Sequence, residues 1–403
     1  MSQARLLART FFGRLFESDL MPQGLPQVQL LIWALVIAGA PTFGLPMLLV
    51  KKYNRLYIDG GLSLAMQTDR AILFTLSMLS IGFVGLLMWE GIYPDRRDVR
   101  ILGPLPVRTR TFVEARLRAL GRVFVLFAIA ICVPQSILFG LLVWTYDDSA
   151  GLVRGIVAHL MAGAAACTFV FSTLLCLQCF LLLVLGRRAA QRASVGLQIA
   201  FAIALIQLLF FLPHLGDLLR NREQMMTSGA AALVPGVWFM ALYEWLSGMA
   251  SRPTAVIARI VALAVGVALV LCVVLYAASY KRLSRLALEG ISNAPARRKV
   301  ERARHDRMPE DALRRAVRQF VVRTIVRSRQ HRMILALYAG VAIAFVLSTI
   351  VALAMRRRGM VLSTPSVSLL SIPLVLQFFP LVGVRLVAAI PAEPKANWVF
   401  RVG

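Results

Sequence analysis

Long apolar runs, separated by shorter polar or basic segments, dominate the pattern of hydrophobic positions along this chain. A helix that crosses a bilayer needs about 20 mostly apolar residues. The runs that predict spans are Gln27 to Val50, Ala71 to Tyr93, Val123 to Tyr146, Ile156 to Leu185, Val195 to Leu212, Ala255 to Tyr280, Ile334 to Met355 and Ser368 to Ile390. The pattern therefore predicts an all-α integral membrane protein with about eight transmembrane helices.

Composition supports the same class. The chain is 59% hydrophobic over 403 residues, with a mean hydropathy of +0.74, whereas a soluble globular chain is about half apolar. All five cysteines fall inside apolar runs, where a cysteine behaves as a small hydrophobic residue, so a disulfide scaffold is excluded. These are Cys132, Cys167, Cys176, Cys179 and Cys272.

The distribution of basic residues predicts the orientation. With the N terminus inside, the inner segments hold 32 of the 45 Lys and Arg residues and the outer segments hold 11. Because basic residues are retained on the cytoplasmic side, this asymmetry predicts an N-in/C-in multi-pass protein. The same retention explains the net charge of +26, so nucleic acid is not an expected partner.

The N-terminal segment, residues 1–26, predicts an amphipathic interfacial helix. Its first long apolar run begins only at Gln27 and is too long for the core of a signal peptide. In "ARLLARTFFGRLFESDL" the apolar residues fall toward one side and the arginines elsewhere, which is typical of a helix lying on the inner membrane surface. A frayed tail is the alternative. The apolar residues are Leu6, Leu7, Phe11, Leu15 and Phe16.

The first long inner loop, residues 94–122, combines charge with helix breakers. Gly103, Pro104 and Pro106 interrupt any helix, and Thr111 followed by Glu114 forms a capping-box pattern. We therefore expect a short charged element, a rigid turn and a new helix from about Thr111 into the third span. A solvated basic loop is the alternative.

The second inner segment, residues 281–333, contains "PEDALRRAVRQFVVRTIVRSRQHR". Its apolar residues recur at helical spacing among arginines, which predicts a basic amphipathic helix that docks on anionic lipid or on a protein partner. These apolar residues are Leu313, Val317, Phe320, Val321 and Ile325. Residues 334–403 then form the last two spans and a tail, after the first six spans in residues 27–280.

The outer segment 213–254 contains "LVPGVWFMALYEWLSG". Trp238, Phe239 and Tyr243 beside a short apolar run indicate an interfacial or re-entrant helix at the outer headgroups, or a plain aromatic belt. Glu244 is expected to face water or protein.

Motifs for catalysis are few. The chain has no Gly-Lys dipeptide and hence no phosphate loop of the Walker type, and its four histidines are scattered. Asp95 and Asp98 would need a second acidic cluster to bind magnesium, but Asp147 and Asp148 lie on the predicted opposite side. We predict no catalytic residue, no metal site and no cofactor, and interpret Cys176-x-x-Cys179 as apolar packing.

Four stretches carry a resemblance: "YPDRRDVRILGPLPVRTRTFVEARL", "LVPGVWFMALYEWLSG", "VVRTIVRSRQHRMILALYAG" and "IPAEPKANWVFR". They resemble recurring blocks of multispan proteins from GC-rich bacteria related to the membrane (permease) subunits of bacterial ABC-type exporters. The resemblance implies a multi-pass permease of the bacterial cytoplasmic (inner) membrane. Such a permease works with a separate ABC ATPase subunit, a second permease copy and membrane lipids. Members of that group continue into further spans after the last block, so we expect a C-terminally truncated chain.

In such exporters the loop after the second span docks into the ATPase. The resemblance implies this coupling role for ten residues here: Asp95, Arg96, Arg97, Asp98, Arg100, Leu102, Pro104, Pro106, Arg108 and Arg110. Two other classes stay open. One is a non-transporting membrane scaffold or sensor that uses the basic inner helix, and the other is an integral membrane lipid-modifying enzyme.

Overall fold

The computed structural model describes residues 3–15, 27–59, 61–89, 109–147, 151–219, 234–289, 314–315, 319, 329–356 and 367–389. These residues are almost entirely helical, and no β-strand occurs among them. The helices are α1 (Gln3–Leu15), α2 (Gln27–Asp59), α3 (Leu62–Leu87), α4 (Thr109–Tyr146), α5 (Leu152–Phe211), α6 (Leu215–Leu219), α7 (Pro235–Ser247), α8 (Arg252–Glu289), α9 (Arg329–Arg356) and α10 (Val367–Ala389). A 3-10 turn, Leu212–His214, separates α5 from α6.

Within the described residues, eight helical stretches are long and apolar enough to cross a membrane. They are Leu31–Ile58, Leu62–Leu87, Thr111–Tyr146, Leu152–Leu185, Ala193–His214, Arg252–Ser279, His331–Ile350 and Leu369–Val387. The predicted class, an all-α multispan membrane protein, is confirmed. One connection differs from prediction: residues 186–194, expected to link the fourth and fifth spans, are helical and belong to α5.

The chain divides into two compact units. The first contains Met1–Ser194 and Phe211–Arg285, and the second contains Val195–Phe210 and Leu286–Gly403. In the second unit α9 packs against α10, and Gly383 lies so close to the Tyr338 ring that an added Cβ would be 3.0 Å from the Tyr338 Cβ. The predicted basic helix of the second inner segment lies almost wholly outside the described residues, since only 314–315 and 319 are described before Arg329.

Helix α3 is the most enclosed candidate span of the first unit, with 72% of its apolar window buried. It contacts α2, α4 and α7. The close approach of α7 depends on Gly236, where an added Cβ would lie 2.7 Å from the Ala71 carbonyl oxygen and against Thr75. Pro235 begins α7, and Gly248, with φ of 80°, ends it in the left-handed conformation that glycine tolerates.

Helix α4 carries a proline at its contact with α2. Pro134 has no N–H to donate, which leaves the Ala130 carbonyl without its usual helical partner. Gly39 of α2 approaches that carbonyl so closely that an added Cβ would lie 2.8 Å from its oxygen. The next carbonyl of α4, that of Ile131, accepts a hydrogen bond from the Thr42 hydroxyl of α2 at 3.0 Å. Helix α2 thus packs on the part of the α4 backbone where Pro134 removes a helical hydrogen bond.

Helix α1 covers residues 3–15 of the N-terminal segment and packs against α4. Ala8 and Phe11 are buried there, and the Arg116 guanidinium lies 5.3 Å from the centroid of the Phe11 ring. The apolar side of this helix is therefore at least partly covered by protein. Its position on the membrane surface stays a prediction.

Candidate functional site

The residues predicted for the coupling loop fall mainly outside the described part of the chain. Those outside are Asp95, Arg96, Arg97, Asp98, Arg100, Leu102, Pro104, Pro106 and Arg108. Arg110 lies in the first turn of α4, where the structure describes its backbone. The beginning of α4 at Thr109 agrees with the expectation of a new helix from about Thr111.

The predicted outer aromatic segment lies in α7. Phe239, Tyr243 and Glu244 are buried in protein, whereas Trp238 is half-buried and Trp245 is 41% exposed. Most of this helix is thus buried in protein, and its position at the outer headgroups stays a prediction. Glu244 faces protein rather than water, which is one of the two environments expected for it.

Around α7 the structure places a set of charged and aromatic side chains, of which the sequence analysis named only Tyr243, as part of the outer aromatic segment. We call it the outer cluster, because its members lie at the predicted outer ends of the first four spans. Its members are Lys52, Tyr53, Asp69, Arg70, Phe74, Phe139, His159 and Tyr243, all in the first unit. They come from α2, α3, α4, α5 and α7.

Arg70 is the centre of the outer cluster. Its guanidinium carbon lies 3.9 Å from the centroid of the Tyr243 ring and 5.7 Å from that of Phe139. The residue is only 4% exposed, and its Nε has no hydrogen-bond partner in the described part of the chain. Arginine therefore meets the faces of two rings while part of its N–H edge is left unused.

Asp69, the preceding residue, is occupied by another cation. Both of its carboxylate oxygens lie 2.7 Å from Lys52 Nζ, and the carboxylate is buried. The Tyr53 hydroxyl lies near the same carboxylate. This group joins α2 to α3.

His159 of α5 is enclosed by aromatic rings. Its imidazole stacks on Phe74 with the ring centroids 4.7 Å apart, and Phe139 and Tyr243 lie 5.3 and 6.0 Å away. The residue is 1% exposed, and neither imidazole nitrogen has a hydrogen-bond partner among the described residues. Two polar atoms are thus buried without the partners that burial ordinarily requires.

A cleft opens next to these rings. Its cavity volume is about 10 Å³, which is room for about one water molecule, and it is partly open to solvent. Its walls come from α4, from the start of α5 and from Tyr243 of α7: Phe139, Gly140, Val143, Trp144, Asp147, Gly151, Gly155, His159 and Tyr243. Three of these residues, namely Phe139, His159 and Tyr243, also belong to the outer cluster.

Polar contacts fix the surroundings of the cleft. The Arg154 side chain donates from Nε to the Leu246 carbonyl oxygen at 3.4 Å, which links the start of α5 to the end of α7. The Tyr146 hydroxyl donates to Asn54 Oδ1 and thereby links α4 to α2. These links hold the helix ends that form the walls of the cleft.

Metal ligation has no support from the described residues, among which no group of three or more His, Cys, Asp or Glu side chains could hold an ion. The Sγ atoms of Cys132 in α4 and Cys167 in α5 lie 3.7 Å apart. Cys176 and Cys179 lie on α5 facing Cys272 of α8, where their surroundings are apolar. All five thiols are free.

Comparison with protein-family models, with curated proteins and with solved structures found no match to this chain.

Proposed function

We propose that this chain is the permease subunit of an ATP-driven exporter, which couples a separate ABC ATPase to the movement of a substrate across the inner membrane. The observation that carries the proposal is the course of α4. This helix begins at Thr109, at the end of the predicted coupling loop, and runs without interruption to Tyr146 beside the outer cleft. At a rise of 1.5 Å per residue, it spans about 57 Å.

The two ends of α4 are both packed. Near the inner end, Phe112, Ala115 and Ala119 are buried, and α1 packs along this part. Near the outer end, Phe139 and Leu142 are buried in a core cluster with residues of α2 and α3. A displacement of the coupling loop would therefore move a helix whose far end forms a wall of the cleft.

This arrangement suits alternating access. Closure of an ATPase pair would push on the loop around residues 94–110, and α4 would carry that push to the outer cleft, with the spans rocking between inward-open and outward-open states. A second permease copy would supply the other half of the pathway. In this proposal a separate ABC ATPase supplies the hydrolysis, since the 403 residues contain no Walker sequence.

Charge reversal in the coupling loop tests the proposal. The triple variant Arg96→Glu, Arg97→Glu and Arg100→Glu should insert normally but should lose an ATPase subunit that co-purifies with the wild-type chain in detergent. Identification of nucleotide-binding subunits by mass spectrometry is the readout, and the amount of protein in the membrane fraction reports insertion.

A matched control places the same charge change in the predicted outer connection before the last span, at Arg356, Arg357 and Arg358. It should keep the ATPase. Normal recovery of the ATPase with the first triple variant would contradict the coupling role. If no nucleotide-binding subunit accompanies the wild-type chain, the scaffold or sensor alternative gains support.

A further inference from the structure

Helix α2 has one side that the described part of the chain leaves uncovered. Only 22% of its apolar window is buried, against 72% for α3. In a helix that crosses a bilayer, an apolar side that contacts no protein lies against acyl chains, and we call it the lipid-facing side of α2. Its exposed apolar residues recur at helical spacing: Trp33, Val36, Ile37, Phe43, Met47 and Leu48.

The lipid-facing side of α2 ends in two basic residues. Lys51 lies three residues after Leu48, and Arg55 lies four residues after Lys51, so helical periodicity places all three on the same side. Both cations are exposed, and neither pairs with an acid among the described residues. Lys52 differs from them, because it is held by Asp69 of α3. The charges of Lys51 and Arg55 are therefore available to a partner outside the chain.

Aromatic rings mark the depth of these two cations. Tyr57 of α2 is 65% exposed and Trp144 of α4 is 48% exposed, and the Tyr57 ring centroid lies 5.8 Å from that of Tyr146. Exposed tyrosine and tryptophan concentrate at the level of lipid headgroups. Lys51 and Arg55 follow the apolar run directly and precede Tyr57. Their depth is thus that of the lipid phosphates at the predicted outer surface.

Charge complementarity selects a phospholipid with a net negative headgroup as the occupant. Residues 43–58 of α2 contain two exposed, unpaired cations and no acidic residue. Arginine donates two parallel hydrogen bonds to a phosphate, and lysine adds a point charge. A second copy of the chain fits this side less well. Around a two-fold axis normal to the membrane it would bring its own Lys51 and Arg55 to the same depth, where like charges repel.

We propose that the outer end of α2 binds an anionic phospholipid, with its phosphate at Lys51 and Arg55 and its acyl chains along the lipid-facing side from Leu48 onward. This inference goes beyond the proposed function and does not depend on it, because lipid binding is measured without an ATPase and without transport. Each cation near an anionic headgroup should contribute about a fivefold gain in affinity.

Photo-cross-linking in nanodiscs tests the proposal on the full chain. The discs contain phosphatidylcholine with a small, equal fraction of either phosphatidylglycerol or phosphatidylcholine that carries a diazirine near the headgroup. After illumination and digestion with pepsin, mass spectrometry measures the lipid attached to residues 43–58. In the wild type, the yield with phosphatidylglycerol should be at least about fivefold higher than with phosphatidylcholine.

Variants locate this preference. Lys51→Gln combined with Arg55→Gln should reduce the phosphatidylglycerol yield at residues 43–58 to the phosphatidylcholine level, and the melting temperature should be unchanged because both positions are exposed. The matched control, Arg252→Gln combined with Arg259→Gln, removes the same charge from exposed positions of α8 and should keep the preference.

Three results would overturn the proposal. The first is an equal yield for the two lipids in the wild type. The second is a preference that survives in the variant of Lys51 and Arg55, or that is lost equally in the α8 control. The third is cross-linking of residues 43–58 to a second copy of the chain in place of lipid.

Discussion

The Arg70 guanidinium lies over the face of the Tyr243 ring, with 3.9 Å between the guanidinium carbon and the ring centroid. This contact joins α3 to α7 in a buried part of the first unit. Because both side chains are largely withdrawn from water, the attraction between cation and ring is stronger than at an exposed site, about 2 kcal/mol.

Replacement of Tyr243 tests this contact. Tyr243→Leu removes the ring and should lower the free energy of unfolding by about 2–4 kcal/mol, the lost cation–π energy plus the cost of poorer packing. Tyr243→Phe keeps a ring face under the guanidinium and should cost less than about 1 kcal/mol. Unfolding midpoints in one detergent check both values. Equal losses for the two variants would show that the ring face contributes nothing.

The ion pair between Lys52 and Asp69 should matter more than an exposed pair of similar geometry. The Asp69 side chain is 3% exposed and that of Lys52 is 42% exposed. Lys52→Ala leaves a buried carboxylate without its cation and should therefore cost about 1–3 kcal/mol of stability.

Glu114 and Arg118 of α4 provide the comparison, since their side chains are 49% and 46% exposed at an N–O distance of 2.6 Å. Glu114→Ala should cost at most about 0.5 kcal/mol, as for other exposed pairs four residues apart. Chemical unfolding in detergent measures both losses. A smaller loss for Lys52→Ala than for Glu114→Ala would refute the buried role of Asp69.

Gly236 should be intolerant of any side chain. In Gly236→Ala the new Cβ would lie 2.7 Å from the Ala71 carbonyl oxygen, which is backbone and cannot rotate away. The helices α3 and α7 must then separate, at a cost of about 1–3 kcal/mol. In contrast, Gly121→Ala in α4 adds a Cβ with nothing within 4 Å, and it should stabilise the chain by about 0.5–1 kcal/mol. Melting temperatures that move in the same direction for both variants would contradict this reasoning.

The docking of α1 on α4 should depend on Phe11. Phe11 is 5% exposed and its ring lies beside Arg116, so Phe11→Ala removes a large buried ring and should release α1. Amide hydrogen exchange in residues 3–15 should then become at least about tenfold faster, which corresponds to about 1.4 kcal/mol. The same change at the half-buried Phe12 should have a smaller effect. Unchanged exchange in Phe11→Ala would mean that α1 is held by other contacts.

The number and place of the spans could be predicted because hydrophobicity over about 20 residues is a local property of the sequence. The residue at which α2 ends and the residue at which α3 begins could not be predicted in this way. The apolar runs stop at Val50 and resume at Ala71, yet α2 continues to Asp59 and α3 begins at Leu62, which leaves two glycines between them. Charged residues can stay helical here because several of them, lysine and arginine above all, are good helix formers outside an apolar run. Lys52 and Asp69 pair across the two helices, and such a pairing is visible only in three dimensions.

The outer cluster was missed for the same reason. Arg70 directly precedes the apolar run that begins at Ala71, and His159 is one of four scattered histidines. An ionisable residue inside an apolar run is a signal for a site, and His159 between Ile156 and Leu185 is such a residue. The burial of Tyr243 could not be separated from an aromatic belt, because interfaces and cores use the same residue types and differ only in what the rings contact.

The proline in α4 divides this helix into two unequal arms. From Pro134 the helix extends 25 residues back to Thr109 and 12 residues on to Tyr146, or about 38 and 18 Å at 1.5 Å per residue. If the helix pivots where Gly39 and Thr42 of α2 pack beside the proline, it acts as a lever with a mechanical ratio of about two to one. A displacement of the inner end of α4 would then move its outer end, beside the cleft, about half as far and with greater force.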